Sequence, residues 1–213
     1  MSKIKAVLFD MDGTLNDTRH AVYEALEQAF AVHDVPAPSR EEMAPYIHSH
    51  NAVHDAFASH IEQKKFLDTY FEKVFELLPT SHHYTGVKSI LEQLYADGYK
   101  LGLVTGAVYL KNYFEQADAF KHFAVVVGPE ETAKSKPDPQ GTNLALKQLK
   151  LEPTEAVMVG DLATDIKTAK AAGLAAAIGI THGFGTRESL EEADADYIID
   201  QLSELPDILK KLG

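Results

Sequence analysis

Residues 6–14 read AVLFDMDGT, and this stretch decides the fold. Four apolar residues precede Asp10 and Asp12, and Gly13 follows them. An apolar run without polar alternation is typical of a strand covered on both faces, as in a parallel sheet. The stretch therefore predicts a buried strand that ends in two carboxylates and a glycine turn.

Similar apolar runs alternate with helical patterns along the rest of the chain, which predicts an α/β fold: a Rossmann-like parallel sheet core flanked by helices. We expect strands at 4–9, 100–105, 124–128, 156–160, 175–180 and 197–199. We expect helices at 86–97, 108–117, 137–150, 163–172 and 202–212.

Residues 17–85 break this rhythm. Their apolar spacing is helical, and Ser39 with Glu42 offers a capping box. The break predicts an inserted α-helical cap domain at 17–85, with residues 1–16 and 86–213 forming the catalytic core.

Composition excludes several classes of protein. The 213 residues are 45% hydrophobic, carry a formal net charge of −12 and include no cysteine. Disulfides and thiol chemistry are therefore absent, and no basic face indicates a nucleic-acid partner. No apolar run predicts a membrane span, and the N-terminus has no signal-peptide pattern, so a cytoplasmic protein is expected. An anionic substrate would need a local cation in so acidic a chain.

Further polar motifs follow the predicted strands at their carboxyl ends, where open parallel sheets bind ligands. Thr105 and Gly106 offer a hydroxyl and free N–H groups for phosphate oxygens, although Thr105 alone fits a helix cap. Lys136 precedes Pro137, which suits a first helical position and directs the lysine side chain. A solvated surface lysine is the alternative for Lys136, and Lys134 competes with it for the role.

Two more carboxylates follow the strand at 156–160. Asp161 lies at the strand end, and Asp165 comes about one helical turn later on the same face. With Asp10 they make the hard-oxygen environment that Mg²⁺ prefers. Asp161 as a simple helix cap is the alternative.

These motifs resemble those of the haloacid dehalogenase-like hydrolase superfamily. The matching stretches are VLFDMDGTLNDT, LVTG, KSKPDP and VGDLATDIKTAKAAG, in that order. The resemblance covers nearly the whole chain, and it is to the branch with a helical cap that contains phosphoglycolate phosphatase.

The resemblance implies a role for each matching residue. Asp10 would attack phosphorus and form an aspartyl-phosphate, and Asp12 would protonate the leaving group and then activate water. Thr105, Gly106 and Lys136 would bind the phosphoryl group. Mg²⁺ would be held by Asp10, the main-chain carbonyl of Asp12 and Asp161, with Asp165 binding it directly or through water. The implied enzyme is a phosphoric monoester hydrolase acting on a small phosphorylated metabolite, as a monomer or homodimer.

The substrate is less defined, because residues 46–51 (YIHSHN) and 106–108 (GAV) depart from the relatives' pattern. His48, His50 and His54 cluster there. A zinc site, a substrate contact by His50 and solvated surface histidines are the three interpretations, and the pattern favours the last. His82 and His83 are interpreted as linker.

Other functions remain open on the same fold. They are an inorganic pyrophosphatase, a sugar-phosphate mutase, for which Arg19 and His20 are not placed as expected, and a non-catalytic binding or regulatory protein.

Overall fold

The computed structural model describes residues 3–107 and 121–213. The helix predicted at 108–117 therefore lies outside the described residues. The chain divides into two compact units. The core unit comprises Met1–Asn16 and His83–Gly213, and the helical unit comprises Asp17–His82. The chain passes between the two units at 16/17 and 82/83, whereas the predicted domain boundaries are at 16/17 and 85/86.

The elements are numbered in chain order. The strands are β1 (Ala6–Phe9), β2 (Asn16–Asp17), β3 (His82–His83), β4 (Lys100–Val104), β5 (Phe123–Val127), β6 (Ala156–Gly160), β7 (Ala176–Ile180) and β8 (Tyr197–Ile199). The helices are α1 (Arg19–Val32), α2 (Arg40–Met43), α3 (His50–Phe57), α4 (Gln63–Leu77), α5 (Val87–Ala96), α6 (Gln140–Leu149), α7 (Ala163–Ala172), α8 (Arg187–Glu192) and α9 (Leu205–Leu212).

The core unit is built on a six-stranded sheet in the order β5-β4-β1-β6-β7-β8. All five neighbouring pairs are parallel. Strand β1 lies between β4 and β6. After β1 the chain forms β4 and β5 on one side of it, and then β6, β7 and β8 on the other side. Such a reversal opens a crevice at the carboxyl ends of the central strands. The predicted parallel α/β sheet is confirmed.

Each face of the sheet is covered by its own apolar cluster. One face packs against α5 and α9 through residues such as Leu91 and Leu205. The other packs against α6 and α7 through residues such as Leu146 and Ile166. Every residue of β1 and β6 is buried. This double coverage explains why the strands are apolar throughout, and it fixes the strand ends that carry the polar residues.

The helical unit contains α1 to α4. Its interior is aromatic: the rings of Phe30 and Phe66 lie 5.0 Å apart, edge to face, and α4 buries Tyr70 and Val74 beside them. The predicted capping box is present, because Ser39 and Glu42 exchange their hydrogen bonds at the start of α2.

Two local predictions at the start of α6 were wrong. Helix α6 begins at Gln140, because Asp138 Oδ1 accepts a hydrogen bond from the Gln140 N–H and Pro139 is the N-cap. Pro137 is therefore not at a first helical position; it follows a cis peptide bond. His82 and His83 lie where the chain passes between the two units, in agreement with the prediction of a linker, and they form strand β3, which pairs with β2. Among residues 3–107 and 121–213, no helix has the length and apolar character needed to cross a membrane.

Candidate active site

Three carboxylates meet at the carboxyl edge of the sheet. Asp10 directly follows β1, Asp161 directly follows β6, and Asp165 lies in the first turn of α7. One ligand oxygen from each lies within 4.8 Å of the others, and all three residues are buried. In the described part of the chain this is the only such group of three. The sequence therefore placed these three side chains together correctly.

Lys136 lies among these carboxylates. Its Nζ donates a hydrogen bond to Asp10 Oδ1 and another, at 2.5 Å, to Asp165 Oδ1. The side chain of Lys136 is 16% exposed. Lys134, by contrast, is 68% exposed and pairs with Asp138 at 3.1 Å. The structure therefore selects Lys136 over Lys134 as the cation of the site, and the solvated alternative does not hold.

This cluster contains more acidic groups than basic ones, and their mutual effects and burial shift the pKa values of three of its groups. Burial raises the pKa of Asp10 well above its usual value, and Lys136 acts against that shift. Burial, and then the charge of Asp165, raises the pKa of Asp161 to about 7, although hydrogen bonds from Phe184 and Thr14 act against this. Burial disfavours the charged ammonium of Lys136, but Asp10 and Asp165 outweigh it and raise the pKa of that lysine. One ammonium thus faces three buried carboxylates.

The donor set fits a divalent cation. Three carboxylates supply hard oxygen ligands, and a second positive group would offset the charge that Lys136 leaves uncompensated. Asp12 is partly exposed in the turn after β1, and its carboxylate is not one of the three in the cluster. The prediction for Asp12 as a ligand concerns its main-chain carbonyl.

Thr105 and Gly106 follow β4 at the same edge. The Thr105 hydroxyl accepts a hydrogen bond from the Ala107 N–H at 3.1 Å; the helix that it would cap lies outside the described residues. Gly106 is exposed, and among the described residues no atom lies within 4 Å of where its Cβ would be. A cavity of about 230 Å³ is lined by both residues and by Lys136 and Ser135. The predicted phosphate-binding groups therefore share one cavity.

The three cap histidines do not share one outcome: His48 is exposed, as the favoured prediction of solvated surface residues has it, whereas His50 is half-buried and His54 is buried. His54 is 4% exposed, and its nitrogens contact Asp55 Oδ1 and the Ile61 carbonyl. His50 stacks on Tyr70 and meets Phe71 edge to face. For His54 the prediction was wrong, because an aromatic interior accepts the ring once both nitrogens have partners. The zinc interpretation has no support within the described residues.

Sequence reasoning missed one segment of the site. Residues 181–186, THGFGT, follow β7 and contact Asp161 through Phe184. Thr14, given no role above, also contacts Asp161. Two glycines after a buried strand, at the same sheet edge as Asp161, were the available signal.

Comparison with known proteins agrees with this geometry. Residues 7–178 match the family model described as haloacid dehalogenase-like hydrolase. Because the match spans most of the chain, the chain belongs to the haloacid dehalogenase-like hydrolase family, and the predicted resemblance is confirmed.

Two relatives match this chain over nearly their whole length. The chain is 30% identical to a phosphoglycolate phosphatase of Vibrio parahaemolyticus, with 97% of this chain and 96% of that protein covered. It is 29% identical to pyrophosphatase PpaX of Listeria innocua, with 99% and 94% covered. The name of the phosphoglycolate phosphatase agrees with the predicted phosphoric monoester hydrolase.

Solved structures share the fold. A haloacid dehalogenase-like hydrolase of Streptococcus pneumoniae superposes with a TM-score of 0.85 at 21% identity, covering 98% of this chain and 99% of that one. CbbY of Rhodobacter sphaeroides, solved in complex with phosphate, has a TM-score of 0.78 at 25% identity, covering 95% and 96%.

Proposed function

We propose that this protein is a Mg²⁺-dependent phosphatase that hydrolyses a small phosphorylated metabolite through a phosphorylated Asp10. The observation that carries the proposal is the buried group of Asp10, Asp161 and Asp165 around Lys136. Family membership and the phosphoglycolate phosphatase relatives support it.

Asp10 acts as the nucleophile. A carboxylate needs no base to attack phosphorus, provided that it is ionised. Lys136, hydrogen-bonded to Asp10, favours the ionised form against the effect of burial. An oxygen of Asp10 forms a bond to phosphorus as the bond to the leaving oxygen breaks, and Asp12 gives a proton to that oxygen.

In the second step Asp12 acts as a general base. Its carboxylate takes a proton from a water molecule, the water oxygen attacks phosphorus, and the bond to Asp10 breaks to release phosphate. Thr105, the Gly106 N–H and Lys136 hold the phosphoryl oxygens during both steps. Asp10, Asp161, Asp165 and the Asp12 carbonyl would hold Mg²⁺, which when bound offsets the charge on the transferring group.

The role of residues 17–85 as a substrate-selecting cap, and a substrate contact by His50, stay predictions. So do the cytoplasmic location and the monomeric or homodimeric state.

A specific observation favours a second candidate function. The similarity to pyrophosphatase PpaX covers nearly the whole chain, at an identity close to that of the phosphoglycolate phosphatases. Inorganic pyrophosphate presents a phosphate as leaving group, so the same residues could act on it.

Phosphate release from a substrate panel tests both candidates. The panel contains phosphoglycolate, sugar phosphates, nucleoside monophosphates, pyrophosphate and an aryl phosphate, each with Mg²⁺ and with EDTA. We expect Mg²⁺-dependent release from one phosphomonoester class. Fastest release from pyrophosphate would replace the first candidate by the second. Inactivity on all members would contradict both.

A further inference from the structure

Asp161 is held by two segments that lie far apart in the sequence. Thr14 Oγ1 donates a hydrogen bond to Asp161 Oδ1 at 2.9 Å. The main-chain N–H of Phe184 donates to Oδ2 at 2.8 Å. A carboxylate oxygen can accept more than one bond, so each oxygen has lone-pair capacity left for a cation. The two donors fix the plane of the carboxylate and leave lone pairs on its oxygens for a cation.

His182 extends this network to the main chain of Thr14. Its Nε2 lies 3.0 Å from the Thr14 carbonyl oxygen. Because a carbonyl only accepts, Nε2 is the donor. The segment 182–184 therefore reaches Asp161 directly, through Phe184, and indirectly, through Thr14.

Tyr84 fixes His182 in turn. The two rings stack with their centroids 3.7 Å apart and their planes 18° apart. Tyr84 Oη donates to the His182 carbonyl at 3.1 Å. The main-chain N–H of Tyr84 donates to the Leu15 carbonyl at 3.0 Å. Tyr84 thus ties the segment after β1 to the segment after β7.

The main chain of Gly183 packs closely against Asp161 and Gly13. A Cβ on Gly183 would lie 2.2 Å from Asp161 Oδ2 and 2.4 Å from the Gly13 carbonyl oxygen. Because the backbone lies directly against the carboxylate, a shift of this segment must move Asp161 as well.

We propose that Thr14, His182 and Tyr84 are positioning residues that orient the Asp161 carboxylate for a divalent cation. The proposal rests on the metal site proposed above. It gives a role to Thr14, to which the first motif assigned none, and to Tyr84 and His182, which lie outside the four motifs. Groups that hydrogen-bond to a ligating carboxylate set its orientation, and their removal commonly weakens metal binding by about 10–100-fold.

The His182→Phe variant tests the proposal most cleanly, because phenylalanine keeps a ring to stack on Tyr84 but loses the Nε2 donor. His182→Gln keeps an amide donor and serves as the conservative rescue. The matched control is His122→Phe, since His122 stacks on Tyr95 in the same manner, at 4.3 Å and 26°, but contacts no residue of the candidate site in the described structure.

Mg²⁺ affinity of the metal-free full-length chain, measured by titration calorimetry, is the readout. We expect Thr14→Val, which removes a hydrogen bond to Asp161 itself, to weaken Mg²⁺ binding about tenfold. His182→Phe acts through the Thr14 main chain and should weaken it by a smaller factor, which His182→Gln should mostly restore and His122→Phe should not reproduce. Activity should follow as a higher half-saturating Mg²⁺ concentration, with kcat at saturating Mg²⁺ largely retained.

Thr14 supplies an independent pair of variants. Thr14→Val keeps the branched shape and removes the hydroxyl, whereas Thr14→Ser keeps the hydroxyl. Weaker Mg²⁺ binding in Thr14→Val, with Thr14→Ser near wild type, supports the proposal. A purely structural role would instead lower the free energy of unfolding without changing the Mg²⁺ dissociation constant.

Two results would overturn the inference, and they differ. If wild type binds Mg²⁺ and both His182→Phe and Thr14→Val bind it equally well, the positioning role is wrong and the metal site stands. If wild type binds no Mg²⁺, the metal site itself is wrong and the positioning role falls with it.

Discussion

Lys136 Nζ lies 2.5 Å from Asp165 Oδ1, and the same ammonium donates a hydrogen bond to Asp10. A single lysine therefore joins the nucleophile candidate after β1 to the first turn of α7. Without a bound cation, it is the group that offsets the buried carboxylates.

Replacing Lys136 should destabilise the metal-free protein. Lys136→Met leaves three buried carboxylates without their ammonium partner, and breaking a buried ion pair from one side costs about 3 kcal/mol. Urea unfolding in EDTA measures the change. Lys134→Met is the control, since its exposed pair with Asp138 contributes about 0–1 kcal/mol. Equal losses in the two variants would contradict the buried-cluster account.

Asp12→Asn should reveal the general acid through its dependence on the leaving group. Removing the proton donor should lower kcat/KM, which reports the first step, for an alkyl phosphate by about 10²–10⁴-fold. An aryl phosphate, whose leaving oxygen needs no proton, should lose less in the first step. Asp207→Asn is the control, because Asp207 is exposed and pairs with Lys210. Equal losses of kcat/KM on both substrates would exclude an acid role for Asp12 in leaving-group departure, because kcat/KM does not include the later step in which Asp12 activates water.

Gly183→Ala should destabilise the protein and disturb the site together. Its Cβ would overlap the Asp161 carboxylate and the Gly13 carbonyl, and overpacking of this kind costs about 2 kcal/mol. Gly106→Ala is the control for stability alone, because among the described residues no atom lies within 4 Å of where its Cβ would be. Chemical unfolding of both variants checks the prediction, and an alanine tolerated at 183 would show that the segment can move away.

Acid should lower the stability of the protein because His50 becomes protonated more readily in the unfolded chain. Burial lowers the pKa of His50 from its ordinary 6.5. Its protonation is therefore easier in the unfolded chain, which binds more protons as the pH falls through about 6.5. This contribution to stability is present at pH 7.5 and is lost on acidification.

Comparison with His50→Phe isolates that effect. The variant keeps a ring for Tyr70 and Phe71 but cannot titrate. Wild type should lose free energy of unfolding relative to His50→Phe between pH 7.5 and 5.5, and each unit of pKa shift corresponds to about 1.4 kcal/mol. His60→Gln, at an exposed position, is the control. A difference that does not change with pH would show that His50 titrates as in the unfolded chain.

The sequence predicted the sheet well because its strands are buried on both faces. Burial makes runs such as AVLF and AVMV apolar throughout, and it places Asp10 and Asp161 at one edge. Lys136 could also be placed there, although by a wrong argument, since Pro137 does not begin α6.

Contacts between distant segments were not predictable in the same way. Phe184 holds Asp161 through its main-chain N–H, which no side-chain pattern encodes. His54 looked solvated because its imidazole is polar, yet its nitrogens lie 2.8 Å from Asp55 Oδ1 and 3.0 Å from the Ile61 carbonyl oxygen. Such partners become visible only when the fold brings the segments together.

Phosphate release by wild type and Asp10→Asn, at saturating Mg²⁺ and on the best substrate of the panel, tests the central claim most directly. Asparagine keeps the size of the side chain but removes the nucleophilic charge. The account predicts that Asp10→Asn is folded, by circular dichroism, and releases no phosphate above background. A folded Asp10→Asn that turns over at the wild-type rate would contradict the account.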